Sequence, residues 1–228
     1  MEKLNAIIEY IHHSCFTVEI DEKLLVFDYY KGDISLKDKV YVFASHNHED
    51  HFNPITLDWK KDNKNIHYIL SDDIEVKDDE NIVLMRPYKT KIINDIRIKT
   101  FGSTDKGVSF LVSIDGINIF HAGDLNWWYW DDEPESEKID MENSFKIKIK
   151  RIKKLGIDID IAFFPVDPRL VEYYHLGGEY FIKEIKPKYF FPMHFWEKYG
   201  IIQDFIHKVD SKYTKTVDIK HNNQIFEL

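Results

Sequence analysis

The densest chemistry in the chain lies in Ser45-His46-Asn47-His48-Glu49-Asp50-His51, where three histidines and an aspartate fall within six residues. His46 and His48 stand two apart, just past the apolar run Val40-Tyr41-Val42-Phe43-Ala44. Alternate side chains of an extended backbone point the same way, so both imidazoles can meet one ion. Asp50 and His51 follow in what reads as a turn, a geometry that can direct them toward a second ion about 3.5–4 Å from the first. That is the spacing two-metal hydrolases require, in which coordination brings the pKa of a solvent molecule toward neutrality.

The elements that must position these residues can be read from periodicity. The apolar run before His46 suits a strand buried on both faces. Ahead of it, residues 6–11, 15–20 and 24–28 are short β-branched or aromatic runs, with Asp21-Glu22-Lys23 as a hairpin turn. Pro54 can open a short helix, strands are expected at 66–70 and 82–85, and residues 92–93, 96–101, 108–114 and 117–121 form a meander closed by Asp115-Gly116. Over 135–155, Met141, Phe145, Ile149, Ile152 and Leu155 recur at helical spacing between Pro134 and Gly156. Its acidic start and basic end complement the helix dipole, so the lysines read as a solvated face. Strands at 159–164, 189–191 and 224–227 alternate with helices at 178–185 and 201–209.

With 228 residues and no linker or repeat, a single domain spanning 1–228 is expected. Hydrophobic residues at 43% supply a core. The net charge of -9 disfavours nucleic acid and points to a small-molecule substrate, while a homo-oligomer stays open. Cys15 has no partner for a disulfide, and neither a signal peptide nor a membrane span is visible, so a soluble cytoplasmic protein with no membrane association is expected.

The segment His46 to His51 is similar to the HxHxDH motif of the metallo-β-lactamase superfamily. The likeness extends to Gly123-Asp124 and to Pro192-Met193-His194 at the ends of later strands. Within the superfamily the chain most resembles the phosphorylated-ascorbate lactonase-like branch, through His13-Ser14, His121-Ala122-Gly123-Asp124 and Pro192-Met193-His194-Phe195. The resemblance implies an α/β fold, a four-layer αββα sandwich with metals at one edge. It places His46 and His48 on a first ion, Asp50, His51 and His194 on a second, and Asp124 between them, with Asp50 also orienting the nucleophile. The cofactor implied is one or two divalent ions, zinc first.

The chain departs from the family between these motifs. Where a further histidine is expected, the sequence reads Lys99-Thr100-Phe101-Gly102-Ser103-Thr104-Asp105-Lys106-Gly107. Asp105 can supply an oxygen donor, which would favour Mn²⁺ or Fe²⁺ over Zn²⁺. His121 is the other candidate, as a ligand or as a hydrogen-bonding support to one. His13, Trp127, Trp130, Arg169 and Trp196 are candidates for substrate binding: the aromatic rings as cleft walls, and Arg169 as a partner for a carboxylate or phosphate. The expected function is a metal-dependent hydrolase of a small ester-like, lactone-type substrate. The alternatives are a phosphodiesterase on a small molecule or lipid, and a non-catalytic metal- or ligand-binding protein that has lost a ligand histidine.

Overall fold

Alternation of side chains across strands organises the molecule into two facing sheets. The computed structural model describes residues 4–209 and 212–228. The first sheet contains β1 (Ile7–His12), β2 (Cys15–Ile20), β3 (Lys23–Phe27), β4 (Lys39–Ala44), β5 (Ile66–Ser71) and β6 (Ile82–Met85). The second contains β7 (Thr90–Ile93), β8 (Ile96–Gly102), β9 (Val108–Ile114), β10 (Ile117–His121), β11 (Ile161–Pro165), β12 (Tyr189–Met193) and β13 (Lys215–Thr216). The last strand, β14 (Gln224–Glu227), returns to the first sheet beside β1. Three α-helices intervene among the described residues: α1 (Glu135–Lys153), α2 (Leu176–Ile185) and α3 (Gly200–Lys208). None is long and apolar enough to cross a membrane.

Both sheets are mixed. Neighbours from β1 to β3 are antiparallel and from β3 to β6 parallel. In the second sheet the β7 to β10 meander is antiparallel, and β10 to β13 run parallel. The pleat sends Leu25, Phe27, Tyr41 and Phe43 into the core between the sheets, and Leu24, Val26, Val40 and Val42 outward into a smaller cluster. Phe163 and Phe191 likewise turn inward onto Phe16, while Phe164 and Phe190 turn outward onto Phe181 of α2 and Phe205 of α3.

The arrangement is the expected sandwich, with one difference in its outer layers. Helices cover the second sheet, where α1 lays down Phe145, Ile149 and Ile152. Over the first sheet the covering is a 3-10 segment, Pro54–Lys61, with Leu57 and Trp59 beside loop residues Tyr29, Ile34 and Leu36. Asn53 caps this segment on Ile55 N, and only Thr56 in it is fully buried. Two elements escape a reading of the sequence by period. Lys215–Thr216 is too short to show one, and the 3-10 segment Pro168–Tyr173 is kinked at Val171, whose φ of 51° is rare for a β-branched residue.

The parallel strands give the sandwich a functional edge. β3, β4, β10, β11 and β12 all deliver their C-terminal ends to the same side, and the β1–β2 turn arrives there too. Phe163 ties the sheets together beneath that edge, with ring centroids 4.3 Å from Phe16, 5.9 Å from Phe27 and 5.4 Å from Phe191. Phe163→Ala should lower unfolding free energy by about 3–5 kcal/mol in a urea titration. A loss under about 1 kcal/mol would contradict a rigidly packed interface.

Candidate metal centre

Each strand end contributes one or two polar groups to this edge. The turn after β4 carries His46, His48, Asp50 and His51, and is closed by His51 N and Phe52 N donating to His48 O. Asp124 follows β10, His194 follows β12, and His13 stands in the β1–β2 turn. Gly123, at φ 53°, lets the end of β10 press on Ser45, because a Cβ there would lie 2.6 Å from Ser45 Cβ. His13 (φ 55°) and His194 (φ 63°) also have left-handed backbones. His194 N donates to His13 O at 3.2 Å, which locks the two strained residues together.

The donors fall into two groups. His46, His48, Asp105 and Asp124 form one, and His13, Asp50, His51 and His194 the other, with the ligand atoms inside each group within 4.8 Å of one another. Asp124 faces both. Its Oδ2 is 3.5 Å from His46 Nε2, while its Oδ1 is 3.1 Å from His51 Nε2 and 3.3 Å from His194 Nε2. His51 Nε2, His194 Nε2 and Asp124 Oδ1 are buried yet lack a hydrogen-bond partner. Buried polar atoms left so cost about 1–3 kcal/mol each. A divalent cation fits this donor set, because imidazole nitrogens and carboxylate oxygens aimed at a common point are what such an ion requires.

A further layer of acids orients the imidazoles. Asp28, fully buried at the end of β3, accepts from Ser45 N and Ser45 Oγ, both at 2.7 Å, and from His51 Nδ1 at 2.7 Å. Ser45 Oγ in turn accepts from His46 Nδ1 at 2.9 Å. Asp167, after β11, accepts from His194 Nδ1 at 2.8 Å. With the Nδ1 atoms committed, the Nε2 atoms of His51 and His194 are left to face the centre, and that of His46 meets His48 Nδ1 at 2.9 Å within its own donor group.

Electrostatics agrees with a cation site. Burial pushes the His46 imidazole down to about 4, which leaves it neutral and able to donate a lone pair. Burial would lower His51 as well, but the Asp124 and Asp28 carboxylates outweigh it and raise His51 well above 6.5. Against the upward push of burial, His51 and His194 hold Asp124 well below the usual carboxylate range. Three acids, Asp28, Asp124 and Asp50, thus keep their negative charge in a largely buried space.

Above the donors opens a cleft of about 300 Å³, lined by His48, Asp50, Thr104, Asp105, Asp124, Trp128, Trp130, Met141, Arg169 and His194. Arg169 is paired to Asp167 and lies between two indoles, 5.7 Å from the Trp130 centroid and 5.3 Å from that of Trp196. Two expectations need correcting, and a third is narrowed. Trp127 does not wall the cleft; it packs beside Phe145 and Tyr180 with Lys146 over its ring, because the chain reverses its face between Trp127 and Trp128. Of the two roles expected for His121, that of ligand is not met, since it belongs to neither donor group: its Nε2 meets Ser14 O at 3.0 Å, its Nδ1 accepts from Gly123 N and lies 3.7 Å from Asp28 Oδ2, and its ring stacks on Phe27. His13 sits among the ligand atoms rather than on the cleft wall, while His12 turns away to Glu197. Three contributors are not marked by the sequence motifs: Asp28, Asp167 as the support of His194, and Trp128. An acid closing the apolar run of β3 is the available signal for Asp28.

A family model described as a beta-lactamase superfamily domain matches residues 7–141. No curated protein matches the chain. Among solved structures, a novel metallo hydrolase from the hyperthermophilic archaeon Ignicoccus hospitalis is similar over 98% of this chain and 99% of its own, at 15% identity and TM-score 0.67. The metallo-beta-lactamase fold protein YhfI from Bacillus subtilis aligns over 97% and 98%, at 10% identity and TM-score 0.61. CmlA, a diiron beta-hydroxylase from Streptomyces venezuelae, covers the whole chain at 10% identity and TM-score 0.67, but the chain spans only 55% of CmlA. At these identities the likeness is one of fold.

If Asp28 orients His51 as its geometry indicates, Asp28→Asn should weaken divalent-metal affinity about 10–100-fold in a chelator-competition titration. Unchanged affinity would contradict that role.

Proposed function

The chain belongs to the metallo-β-lactamase superfamily, and from that premise we propose that it is a metal-dependent hydrolase acting on a small, anionic, lactone-type ester. The observation that carries this reading is the convergence of unpartnered buried donors, His51 Nε2, His194 Nε2 and Asp124 Oδ1, where Asp124 and His194 line an open cleft and His51 lies behind them. One or two divalent ions held there would polarise the scissile carbonyl and acidify the attacking solvent molecule. His46, His48, Asp50, His51, Asp124 and His194 are the proposed ligands, with Asp105 completing the group around His46 and His48; zinc, manganese and iron all suit such donors.

The remaining steps belong to the chain's own residues. Asp50 Oδ2 lies 3.9 Å from both His51 Nε2 and His194 Nε2, at the junction of cleft and donors, where a carboxylate can orient a solvent molecule and accept its proton. The Trp128 and Trp130 rings are stacked within 4° of parallel and form an apolar wall for a ring-shaped substrate. Arg169 contributes the positive charge, fixed in direction by Asp167, and suits a carboxylate or phosphate on the substrate. An anionic lactone fits this combination, and it is the chemistry of the phosphorylated-ascorbate lactonase-like branch that the sequence resembles. Phosphodiester hydrolysis is the second reading, since the same donors can serve a phosphoryl centre. The acidic chain and the small cleft support a small molecule over a nucleic acid, within a single unit spanning 1–228.

A panel of lactones and phosphodiesters, each with and without a carboxylate or phosphate substituent, tests this. Anionic lactones should be turned over best, and Arg169→Met should remove the preference for the anionic member. Asp50→Asn should lower kcat by about 10²–10⁴-fold while leaving the melting temperature close to that of the parent. Turnover of phosphodiesters alone would favour the second reading, and no turnover by metal-loaded protein would contradict both.

A further inference from the structure

The two donor groups are unlike, and the difference centres on His13. The group around His46 and His48 offers two imidazoles and two carboxylates, Asp105 and Asp124. The other offers three imidazoles, from His13, His51 and His194, and the carboxylate of Asp50, and it shares Asp124 through Oδ1. The nitrogen-rich group is the deeper one: its three histidines are buried, whereas His48 and Asp105 expose 38% and 42% of their side chains.

His13 is built into this position at some expense to the backbone. It is fully buried with a left-handed φ of 55°, its N donates to Tyr10 Oη at 2.9 Å, and its O accepts from His194 N. Its ring lies between those of Trp196, 4.1 Å away, and His194, 4.2 Å away. Neither ring nitrogen makes a hydrogen bond. Nε2 lies 3.2 Å from Asp50 Oδ2, and Nδ1 has no partner. A buried imidazole with both nitrogens unpartnered is costly unless something else meets it. The ligand atoms of Asp50, His51 and His194 lie within 4.8 Å of its own.

We propose that His13 is a ligand of the inner ion, so that the centre comprises an inner nitrogen-rich site and an outer oxygen-rich site that prefer different metals. This rests on the metal-binding reading above. Zn²⁺ suits three imidazoles, while a site with two carboxylates tolerates harder ions such as Mn²⁺. Zn²⁺ therefore fills the inner site first, and the exposed outer site exchanges more readily and accepts Mn²⁺.

The test uses the full chain, stripped with chelator and titrated with Zn²⁺ against a chromophoric competitor. His13→Asn is the informative variant, because asparagine tolerates a positive φ but is too short to reach the site. It should weaken the tighter of two sites by about 100-fold, at the upper end of what losing even an indirect support does, and leave the weaker site unchanged. Asp105→Asn should do the reverse. An unchanged tight site in His13→Asn would overturn the proposal while leaving metal binding intact; no Zn²⁺ uptake by the unaltered chain would overturn both. A measurement on the unaltered chain removes any dependence on the variant's folding. In crystals grown with one equivalent of Zn²⁺ and excess Mn²⁺, anomalous differences across the zinc edge should place zinc beside His13, His51 and His194. Zinc beside His48 and Asp105 would overturn the assignment.

Discussion

A carboxylate buried among imidazoles is the constraint on which this molecule turns. Asp124 is 5% exposed, and its two oxygens face His46 on one side and His51 and His194 on the other. Isolated charge is expensive to bury, so such a residue persists only where positive charge or metal meets it. Its partners come from strands that lie far apart in sequence and in two different sheets. The sandwich is thus the device that lets them meet: parallel strands in each sheet end at a common edge, and the aromatic core beneath fixes the distance between the sheets.

The imidazoles are held in turn by acids that do not face the cleft. Asp28 and Asp167 sit at the ends of β3 and β11, each beside the strand that carries its histidine, so strand order within a sheet settles which acid orients which ligand. Ser45 links Asp28 to His46 and extends the same control to the other donor group. Asp167 has a second task, since it also fixes Arg169 between Trp130 and Trp196 at the cleft mouth. Donor orientation and the charge offered to a substrate are therefore coupled through a single carboxylate.

Much of this is legible in the sequence where physics is local. The continuous apolar run of β4 and the alternation of the β7 to β10 meander give both element type and place, and the donors of the turn after β4 announce themselves by density. Asp124 and His194 become legible only through resemblance, because nothing in their own neighbourhoods marks them as ligands. What stays hidden depends on side-chain direction across long separations. Whether His12 or His13 faces inward is decided by a left-handed residue at the hairpin tip, and whether Trp127 or Trp128 meets the cleft is decided by how the loop after Asp124 packs on α1. Neither is fixed by composition or period. Over the first sheet Pro54 is expected to open a short helix, and Pro54–Lys61 forms a 3-10 helix there.

Metal stoichiometry tests the central claim most directly. Protein purified without chelator and analysed by elemental mass spectrometry should carry close to two divalent ions per chain, and Asp124→Ala should carry fewer, since its carboxylate faces both groups. A parent protein that retains no metal, and takes none up on dialysis against Zn²⁺ or Mn²⁺, would contradict the account.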